Sequence, residues 1–299
     1  MTRTAISPRF AISTLENTSY GDPMDTARAK SVLAGRRFGS IEWLESTGST
    51  NSDLLERARQ GVPEQVLGAR HQEAGRGRMG RVWSAPPDAS LLCSILVRPA
   101  LPPAEIGAVT MALGLAAAEA CDQSAGVGVG LKWPNDLVVV AAGPDGADLK
   151  LSGILAESVV VGGRVEAVVA GIGINVDWPE PLPDELAGMA TSLRQQRGAP
   201  VDATDLLVTM LVGFEQRLGT AERAGAAGLL DEYRNRSATI GRRVRVELPG
   251  SELIGTAVDV TPTGALIVED AEGDRREVAA GDVVHLRPLD VPGRDAPQP

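Results

Sequence analysis

The sequence has few of the residues that metal sites and covalent catalysis need. Its 299 residues include two cysteines and two histidines. Cys93 and Cys121 lie in apolar surroundings without a C-x-x-C pair, which is typical of buried thiols in a reducing compartment. His71 and His285 form no metal-ligand motif and no nucleophile–base pair. We therefore predict no protein-bound metal, and any metal should arrive with a substrate.

Long apolar runs and positive charge are scarce as well. No stretch of about 18 apolar residues occurs, and the longest candidate, 106–118, lies between Glu105 and Glu119, which indicates a packed helix. Residues 1–38 have no apolar segment of a secretory signal and are predicted to be a disordered leader. The net charge of −10 argues against a protein that binds nucleic acid by neutralising its phosphates. We expect a cytoplasmic protein without a DNA or membrane partner.

The pattern of apolar residues predicts an α+β domain over 39–236. Its predicted strands are 41–44, 66–70, 91–97, 128–133, 137–140, 154–161 and 164–174, and its predicted helices are 53–59, 104–121 and 204–236. Short β-rich runs separated by Gly- and Pro-containing turns then predict a small antiparallel barrel or sandwich over 237–288. These runs are 243–248, 253–260, 265–269 and 283–286. Residues 289–299 are predicted to be a flexible tail.

The segment 75–81, GRGRMGR, is here called the Gly-Arg loop. Glycine lets backbone N–H groups approach a ligand closely, and arginine matches carboxylate or phosphate oxygens with a planar, permanent charge. The loop therefore indicates a phosphorylated small molecule. Its G-x-G-x-x-G spacing also occurs in dinucleotide-binding folds, but Pro86 and Pro87 cannot begin the helix that such a fold requires. The phosphate loop G-x-x-x-x-G-K-[ST] is absent from the sequence.

Four further polar segments could contribute to the same site. They are Ser49-Thr50-Asn51 before a helix, Lys132-Trp133-Pro134-Asn135-Asp136 after a strand, Lys150-Leu151-Ser152-Gly153-Ile154-Leu155, and Gly171-Ile172-Gly173-Ile174-Asn175. Taken singly, each is also ordinary capping, turn or strand chemistry. A lysine on an apolar strand, however, needs a partner or a ligand. Together the segments supply positive charge and hydrogen-bonding groups, which stabilise negative charge developing on phosphorus.

With the Gly-Arg loop, these segments resemble the biotin protein ligases in identity, order and spacing, over about 40–287. The resemblance implies a mixed sheet with helices, like that of class II aminoacyl-tRNA synthetases, and a C-terminal all-β barrel of the Src-homology-3 (SH3-like) kind. It also implies a reaction in two steps. Biotin and ATP give biotinyl-5′-adenylate and pyrophosphate, with Mg²⁺ accompanying the ATP. The biotinyl group then passes to a lysine ε-amine on the carrier domain of an acyl-CoA or pyruvate carboxylase.

The resemblance also implies roles for individual residues. Those implied to bind biotin are Ser49, Thr50, Asn51, Gln72, Gly75, Arg76, Gly77, Arg78, Lys150 and Gly153. Those implied to bind ATP or the adenylate are Arg78, Arg81, Trp83, Lys132, Asn135 and Asn175. Lys150 and Arg78 would act in catalysis, and Asp136 would orient or deprotonate the acceptor lysine. Closure of the Gly-Arg loop would keep water from the adenylate, a mixed anhydride.

Two departures from the family pattern stand out. Met79 occupies a position that is basic or polar in many relatives. The residues before about 40 show no two-helix pattern, so we expect the DNA-binding domain of the repressor-type relatives to be missing. The alternatives are a lipoate or octanoate ligase, a biotin-sensing transcriptional regulator and an inactive interaction protein. The oligomeric state is left open, with a homodimer as one alternative.

Overall fold

The computed structural model describes residues 24–178, 180–248, 251–279 and 281–285. Its larger sheet has seven strands, in the spatial order β1-β2-β3-β7-β6-β5-β4. They are β1 (Ile41–Thr47), β2 (Gln65–Gln72), β3 (Ser90–Val97), β4 (Gly130–Lys132), β5 (Asp136–Val139), β6 (Leu149–Val161) and β7 (Arg164–Asn175). Strands β1 and β2 are parallel, and the other neighbouring pairs are antiparallel.

Helices cover both faces of this sheet. They are α1 (Thr26–Val32), α2 (Thr50–Arg59), α3 (Ala108–Ala125), α4 (Leu193–Arg197), α5 (Ala203–Ala224) and α6 (Leu230–Arg236). Alternate residues of a strand point to opposite faces. Leu91 and Ile95 of β3 accordingly join the core formed with α3 and α5, whereas Leu96 packs with Leu54 of α2. The site described below lies on the α2 face.

Helix α3 is strongly apolar. By length and composition alone, 103–125 could cross a membrane, but most of that segment is buried inside the protein. Ala112, Leu113 and Ala116 are fully buried in the core that α3 shares with the sheet and α5. The helix is therefore the core helix that the sequence predicts, although it begins and ends four residues later.

A second sheet of five antiparallel strands follows α6. Its order is β11-β10-β9-β8-β12. The strands are β8 (Arg243–Leu248), β9 (Ser251–Val260), β10 (Leu266–Glu269), β11 (Arg275–Val278) and β12 (Asp282–His285). This arrangement confirms the predicted fold class, a mixed sheet with helices followed by a small antiparallel β unit. We call the second sheet the C-terminal sheet.

Two predictions of secondary structure are wrong, and two elements were missed. Residues 24–38 are not disordered, because Asp25 caps α1 and the buried Phe38 stacks on Phe214 of α5 with ring centroids 5.1 Å apart. The predicted helix 204–236 is interrupted at Gly225, whose φ of 73° a helix cannot accommodate. Helix α4 and strand β11 were not predicted. Residues 1–23 and the predicted tail 289–299 lie outside the described residues.

Candidate active site

Glycines on β6 and β7 form the floor of a small cavity. On the α2 face of β7, buried Ala167 and Val169 pack under α2, and Gly171 and Gly173 continue the same face. Gly153 of β6 pairs with Gly173. A Cβ atom added at Gly173 would lie 2.5 Å from the Trp83 indole, and one added at Gly171 would lie 2.1 Å from the Asn51 Oδ1 atom. Side chains at Gly171 and Gly173 would therefore displace Asn51 and Trp83, which with these glycines line a cavity of about 100 Å³.

Segments that are far apart in the sequence meet around this floor. The predicted residues that line the cavity are Ser49, Thr50, Asn51, Gln72, Arg76, Gly77, Arg78, Arg81, Trp83, Asn135, Asp136, Lys150 and Gly153. The structure thus brings most of the predicted site residues together. Lys132 lines a neighbouring cavity, and Gly75 and Asn175 line neither.

The first turn of α2 supplies uncharged polar groups. Ser49 precedes this helix but its side chain makes no capping hydrogen bond, and Gln72 caps the helix instead. The Gln72 Oε1 atom accepts hydrogen bonds from the Thr50 backbone N–H at 2.8 Å and from the Thr50 hydroxyl at 3.1 Å. Asn51 donates to the Leu155 carbonyl at 3.0 Å. The Ser49 side chain, buried at the cavity wall, is therefore not committed to the helix.

Ser94 of β3 belongs to this cluster, although the sequence did not single it out. Its hydroxyl donates to the Asn51 Oδ1 atom at 2.6 Å and lies 2.7 Å from the Thr50 hydroxyl. It is fully buried and lines the cavity. Ser94 thus fixes the orientation of the Asn51 amide. A lone serine in an apolar strand gave no local signal for this role.

The Gly-Arg loop is a tight hairpin whose three arginines contact three different elements. The Gly77 N–H donates to the Arg81 carbonyl at 2.7 Å. Arg76 makes two hydrogen bonds to Glu157 of β6, at 2.9 and 3.1 Å. Arg78 donates to the Asn135 side chain at 3.1 Å, and Arg81 pairs with Asp282 of the C-terminal sheet. Burial lowers the pKa of Arg78.

Glu157 is a second residue that the sequence analysis missed. It accepts from Asn51 at 3.1 Å as well as from Arg76, so it joins the Gly-Arg loop to the first turn of α2. Glu157 follows Gly153 by four residues, which in a strand places both on the same face. A carboxylate at that spacing from a predicted ligand-facing glycine was a signal that could have found it.

Trp83 lies across the glycine floor. Its backbone N–H donates to the Gly75 carbonyl at 3.0 Å, and a Cβ at Gly75 would lie 2.2 Å from the Trp83 carbonyl. Gly75 therefore positions Trp83 and does not line the cavity. The Lys150 Nζ atom is 5.7 Å from the centroid of the Trp83 ring. Within the described residues, the buried Trp83 Nε1 atom has no hydrogen-bond partner.

An ion pair lies where the small cavity meets a larger one. The Lys150 Nζ atom is 2.8 Å from the Asp136 Oδ1 atom. The larger cavity, of about 370 Å³, shares Arg78, Asn135 and Asp136 with the small one and also receives Lys132. Burial lowers the pKa of Lys132. A cationic group that is partly desolvated in this way interacts strongly with phosphate oxygens.

Asn175 lies apart from both cavities. Its side chain is buried, accepts from the Ser90 hydroxyl at 3.3 Å and donates to the Thr191 carbonyl at 3.0 Å. Its assignment to ATP therefore stays a prediction that this geometry does not favour. Among the residues that the structure describes, no group of three or more His, Cys, Asp or Glu side chains could hold a metal ion.

Comparison with known proteins identifies both parts of the chain. Residues 43–175 match the model of the biotin/lipoate A/B protein ligase family, and residues 239–286 match that of the biotin protein ligase C-terminal domain. The chain is 39% identical over 274 residues to the biotin–[acetyl-CoA-carboxylase] ligase of Mycobacterium tuberculosis, which covers 89% of this chain and 97% of that protein. It is 31% identical over 253 residues to the bifunctional ligase/repressor BirA of Bacillus subtilis, covering 84% of this chain and 75% of the relative.

A solved structure agrees with these matches. The biotin protein ligase from Aquifex aeolicus, in complex with biotin and ATP, superposes with a TM-score of 0.69 at 26% identity, covering 84% of this chain and all of that one. The match of the C-terminal sheet to a biotin protein ligase domain disfavours the lipoate alternative. The chain therefore belongs to the biotin protein ligase family and is an ATP-dependent ligase.

Proposed function

We propose that this enzyme activates biotin with ATP and transfers the biotinyl group to a lysine on the carrier domain of an acyl-CoA or pyruvate carboxylase. The observation that carries the proposal is the Lys150–Asp136 pair where two adjoining cavities meet, both of them lined by cationic side chains. The small cavity combines a glycine floor and neutral polar groups with the cations Arg76, Arg78, Arg81 and Lys150. The larger cavity shares Arg78 and adds Lys132. A neutral ring system and a polyanion are the ligands that suit them.

The first step joins the biotin carboxylate to the α-phosphorus of ATP. Ser49, Thr50, Asn51 and Gln72 offer donors and acceptors that match the ureido ring of biotin. One carboxylate oxygen forms a bond to the α-phosphorus while the bond to the bridging oxygen breaks, and pyrophosphate leaves. Lys150 and Arg78 reduce the charge repulsion between carboxylate and phosphate. Mg²⁺ enters as part of the MgATP substrate, and Lys132 and Asn135 face the nucleotide.

The second step transfers the biotinyl group to the acceptor amine. A lysine ε-amine must lose its proton before it can attack the acyl carbon, and AMP then leaves. We assign this task to Asp136. Its carboxylate accepts a hydrogen bond from Lys150 at 2.8 Å. In the proposed step Lys150 turns toward the adenylate, which leaves the carboxylate free to accept the proton of the amine.

The Gly-Arg loop protects the adenylate between the two steps. In this structure Glu157 holds Arg76, and Arg78 reaches across to Asn135. Such contacts position the loop over the cavity, where it retains the adenylate and excludes water. We predict that Arg78→Gly releases the adenylate early and labels nearby lysines without selection. Unchanged retention of the adenylate in this variant would contradict the role of Arg78.

The domain bounds, the cellular location and the absence of DNA binding are also part of the proposal. We place the catalytic domain at 39–236 and the C-terminal domain at 237–288, in a cytoplasmic protein that does not bind DNA. The repressor role of the Bacillus subtilis relative is tested by a gel shift with the DNA upstream of the chain's own gene, where we expect no biotin-dependent complex.

Pyrophosphate exchange into ATP tests the central reaction without requiring the carrier. The enzyme is assayed with biotin or with lipoate as the added acid. Exchange with biotin alone supports the proposal, and purified carrier domains then identify the acceptor. Exchange with lipoate alone would overturn the substrate assignment, and exchange with neither acid would favour the inactive interaction protein.

A further inference from the structure

A buried chain of hydrogen bonds links the C-terminal sheet to the two strands that carry Asp136 and Lys150. It begins at Trp133, whose backbone N–H donates to the Thr239 hydroxyl at 3.0 Å. The Thr239 Oγ1 atom lies 3.1 Å from the His285 Nε2 atom, and the His285 Nδ1 atom lies 2.9 Å from the Asp148 Oδ2 atom. Trp133 precedes Asp136 by three residues, and Asp148 precedes Lys150 by two.

One arrangement of hydrogens with a neutral histidine satisfies each group in this chain. The Trp133 N–H can only donate, so the Thr239 oxygen accepts from it. With the His285 proton on Nδ1, the Thr239 hydroxyl donates to the Nε2 atom. The Nδ1–H group then donates to the Asp148 carboxylate, and the Arg242 guanidinium lies 3.2 Å from the same nitrogen. The histidine ring is neutral in this arrangement. Burial also lowers its pKa, to about 4.

The side chains that form this chain of hydrogen bonds are buried, which restricts them to one conformation. Thr239 is fully buried, and the side chains of His285 and Asp148 are 11% and 8% exposed. The other Asp148 oxygen accepts from the Ala141 N–H at 3.0 Å, and Arg242 donates to Asp148 at 2.8 Å. No step of the chain depends on an exposed, mobile side chain. A buried N–H group that loses its acceptor costs free energy. A displacement of Thr239 should therefore displace the Trp133 backbone with it.

These contacts fix both sides of the ion pair. One end of the chain holds the turn from Trp133 to Asp136, and the other end holds the residue that leads into β6. Asp136 and Lys150 lie on neighbouring strands, with a register shift between Leu137 and Val138 next to them. The regular ladder of hydrogen bonds therefore does not set their separation alone. The hydrogen bonds at Trp133 and Asp148 further constrain the distance between Asp136 and Lys150.

We propose that His285 is a positioning residue for adenylation, which acts through Thr239 on the Trp133 backbone and through Asp148 on the start of β6. The inference rests on the proposed function and adds that the C-terminal sheet sets the geometry of the Lys150–Asp136 pair. None of His285, Thr239 and Asp148 lines the small cavity, so biotin binding should not depend on them.

Variants of Thr239 and His285 that remove the hydrogen-bonding groups test this role in the full-length enzyme. Thr239→Val keeps the shape and removes the hydroxyl, and His285→Phe keeps a ring and removes both nitrogens. For each variant, kcat of biotin-dependent pyrophosphate exchange is measured per biotin-binding site, so that unfolded protein does not count. We expect kcat to fall about 10-fold or more in each, with the dissociation constant for biotin within about twofold of wild type.

Three comparisons separate positioning from a structural effect. Thr239→Ser retains the hydroxyl and should restore kcat, whereas Thr256→Val on the exposed face of β9 should leave kcat unchanged. The double variant Thr239→Val/His285→Phe should lose little more than either single variant, because both interrupt one chain. An unchanged kcat per binding site, or losses that multiply in the double variant, would overturn the inference. A wild-type enzyme without biotin-dependent exchange would instead overturn the proposed function.

Discussion

Gly171 shows how one missing side chain shapes the site. The Asn51 amide lies directly above it and is held there by Ser94 and by the Leu155 carbonyl. We predict that Gly171→Ala displaces Asn51, because the new Cβ would lie 2.1 Å from its Oδ1 atom. Loss of one aligned hydrogen bond in a buried pocket should weaken biotin binding about 10-fold or more. Isothermal titration with biotin measures this change.

Gly128→Ala is the matched control for that variant. An alanine Cβ at Gly128 would meet no described atom within 4 Å, so the same change in backbone freedom occurs without a collision. Its affinity for biotin should equal that of wild type. A folded Gly171→Ala enzyme with wild-type affinity would show that Asn51 does not contact biotin.

His285 predicts a dependence of stability on pH. Its pKa in the folded protein is about 4, below its ordinary value of 6.5, and the charged groups around it are Asp148, Arg242 and Lys132. Between these pH values the unfolded chain binds a proton that the folded protein does not. The free energy of unfolding should therefore fall as the pH falls from about 6.5 to about 4, and the His285 contribution should level off below that range.

Urea unfolding at several pH values measures this slope in wild type and in His285→Gln. The variant lacks the titrating ring, so its stability should change less between about pH 6.5 and pH 4, whatever its stability at neutral pH. Equal slopes in the two proteins would mean that the pKa of His285 is the same in the folded and the unfolded protein.

At the scale of elements, Asp202 fixes the beginning of α5. Its side chain accepts from the backbone N–H groups of Thr204 at 2.8 Å and Asp205 at 3.1 Å. Its ion pair with Arg28 is exposed and should add little. We predict that Asp202→Ala lowers the free energy of unfolding by about 1–2 kcal/mol, the usual value of a helix cap. Urea unfolding measures it, and kcat should not change because α5 contributes no cavity residue.

Asp231→Ala supplies the comparison for this helix variant. The Asp231 side chain is 95% exposed, and among the residues that the structure describes its ion pair is with Arg234, three residues later, so its removal should cost little. A loss of stability in Asp231→Ala equal to that in Asp202→Ala would show that surface charge, and not the cap, determines the effect.

The elements that sequence predicted well are those whose signal is local. The Gly-Arg loop and Lys132 to Asp136 each contain the residues that define them, and the apolar pattern of α3 and β3 is continuous. Strand β11 has no such pattern, because Arg275, Arg276 and Glu277 are exposed at the edge of the C-terminal sheet. It is a strand because it pairs with β10. Helix α1 likewise depends on contacts with α5, nearly 180 residues away in the sequence.

The residues of the site also divide into those with a local signal in the sequence and those whose role depends on distant contacts. Thr50 and Asn51 could be proposed from their own segment, whereas the role of Ser94 depends on α2 lying over β3. Residue separation explains the difference, since Ser94 reaches Asn51 across 43 positions. A role that arises from strand order and register cannot be read from one segment. The glycines of β7 are intermediate, because their small size indicates a close approach without naming what approaches.

At the scale of the whole molecule, the two sheets share one hydrophobic core. Leu131 and Tyr233 belong to the same buried cluster as Val244 and Val260 of the C-terminal sheet. The Ala238 N–H also donates to the Leu131 carbonyl at 2.8 Å. Removing the C-terminal sheet would expose part of that core, which is unlike the separable contact between independent domains.

We therefore predict one cooperative thermal transition for the described fold, measured by differential scanning calorimetry. Adding biotin distinguishes joint from separate unfolding of the two sheets. The residues that line the small cavity all belong to the larger sheet and its surroundings. A ligand that binds only the folded state raises stability by RT ln(1 + [L]/Kd). If the two sheets unfold together, biotin must shift the entire transition to higher temperature. If the C-terminal sheet unfolds separately, a second transition will remain at its original temperature as biotin is added, and the domain boundary proposed at 236–237 would then also be a boundary of stability.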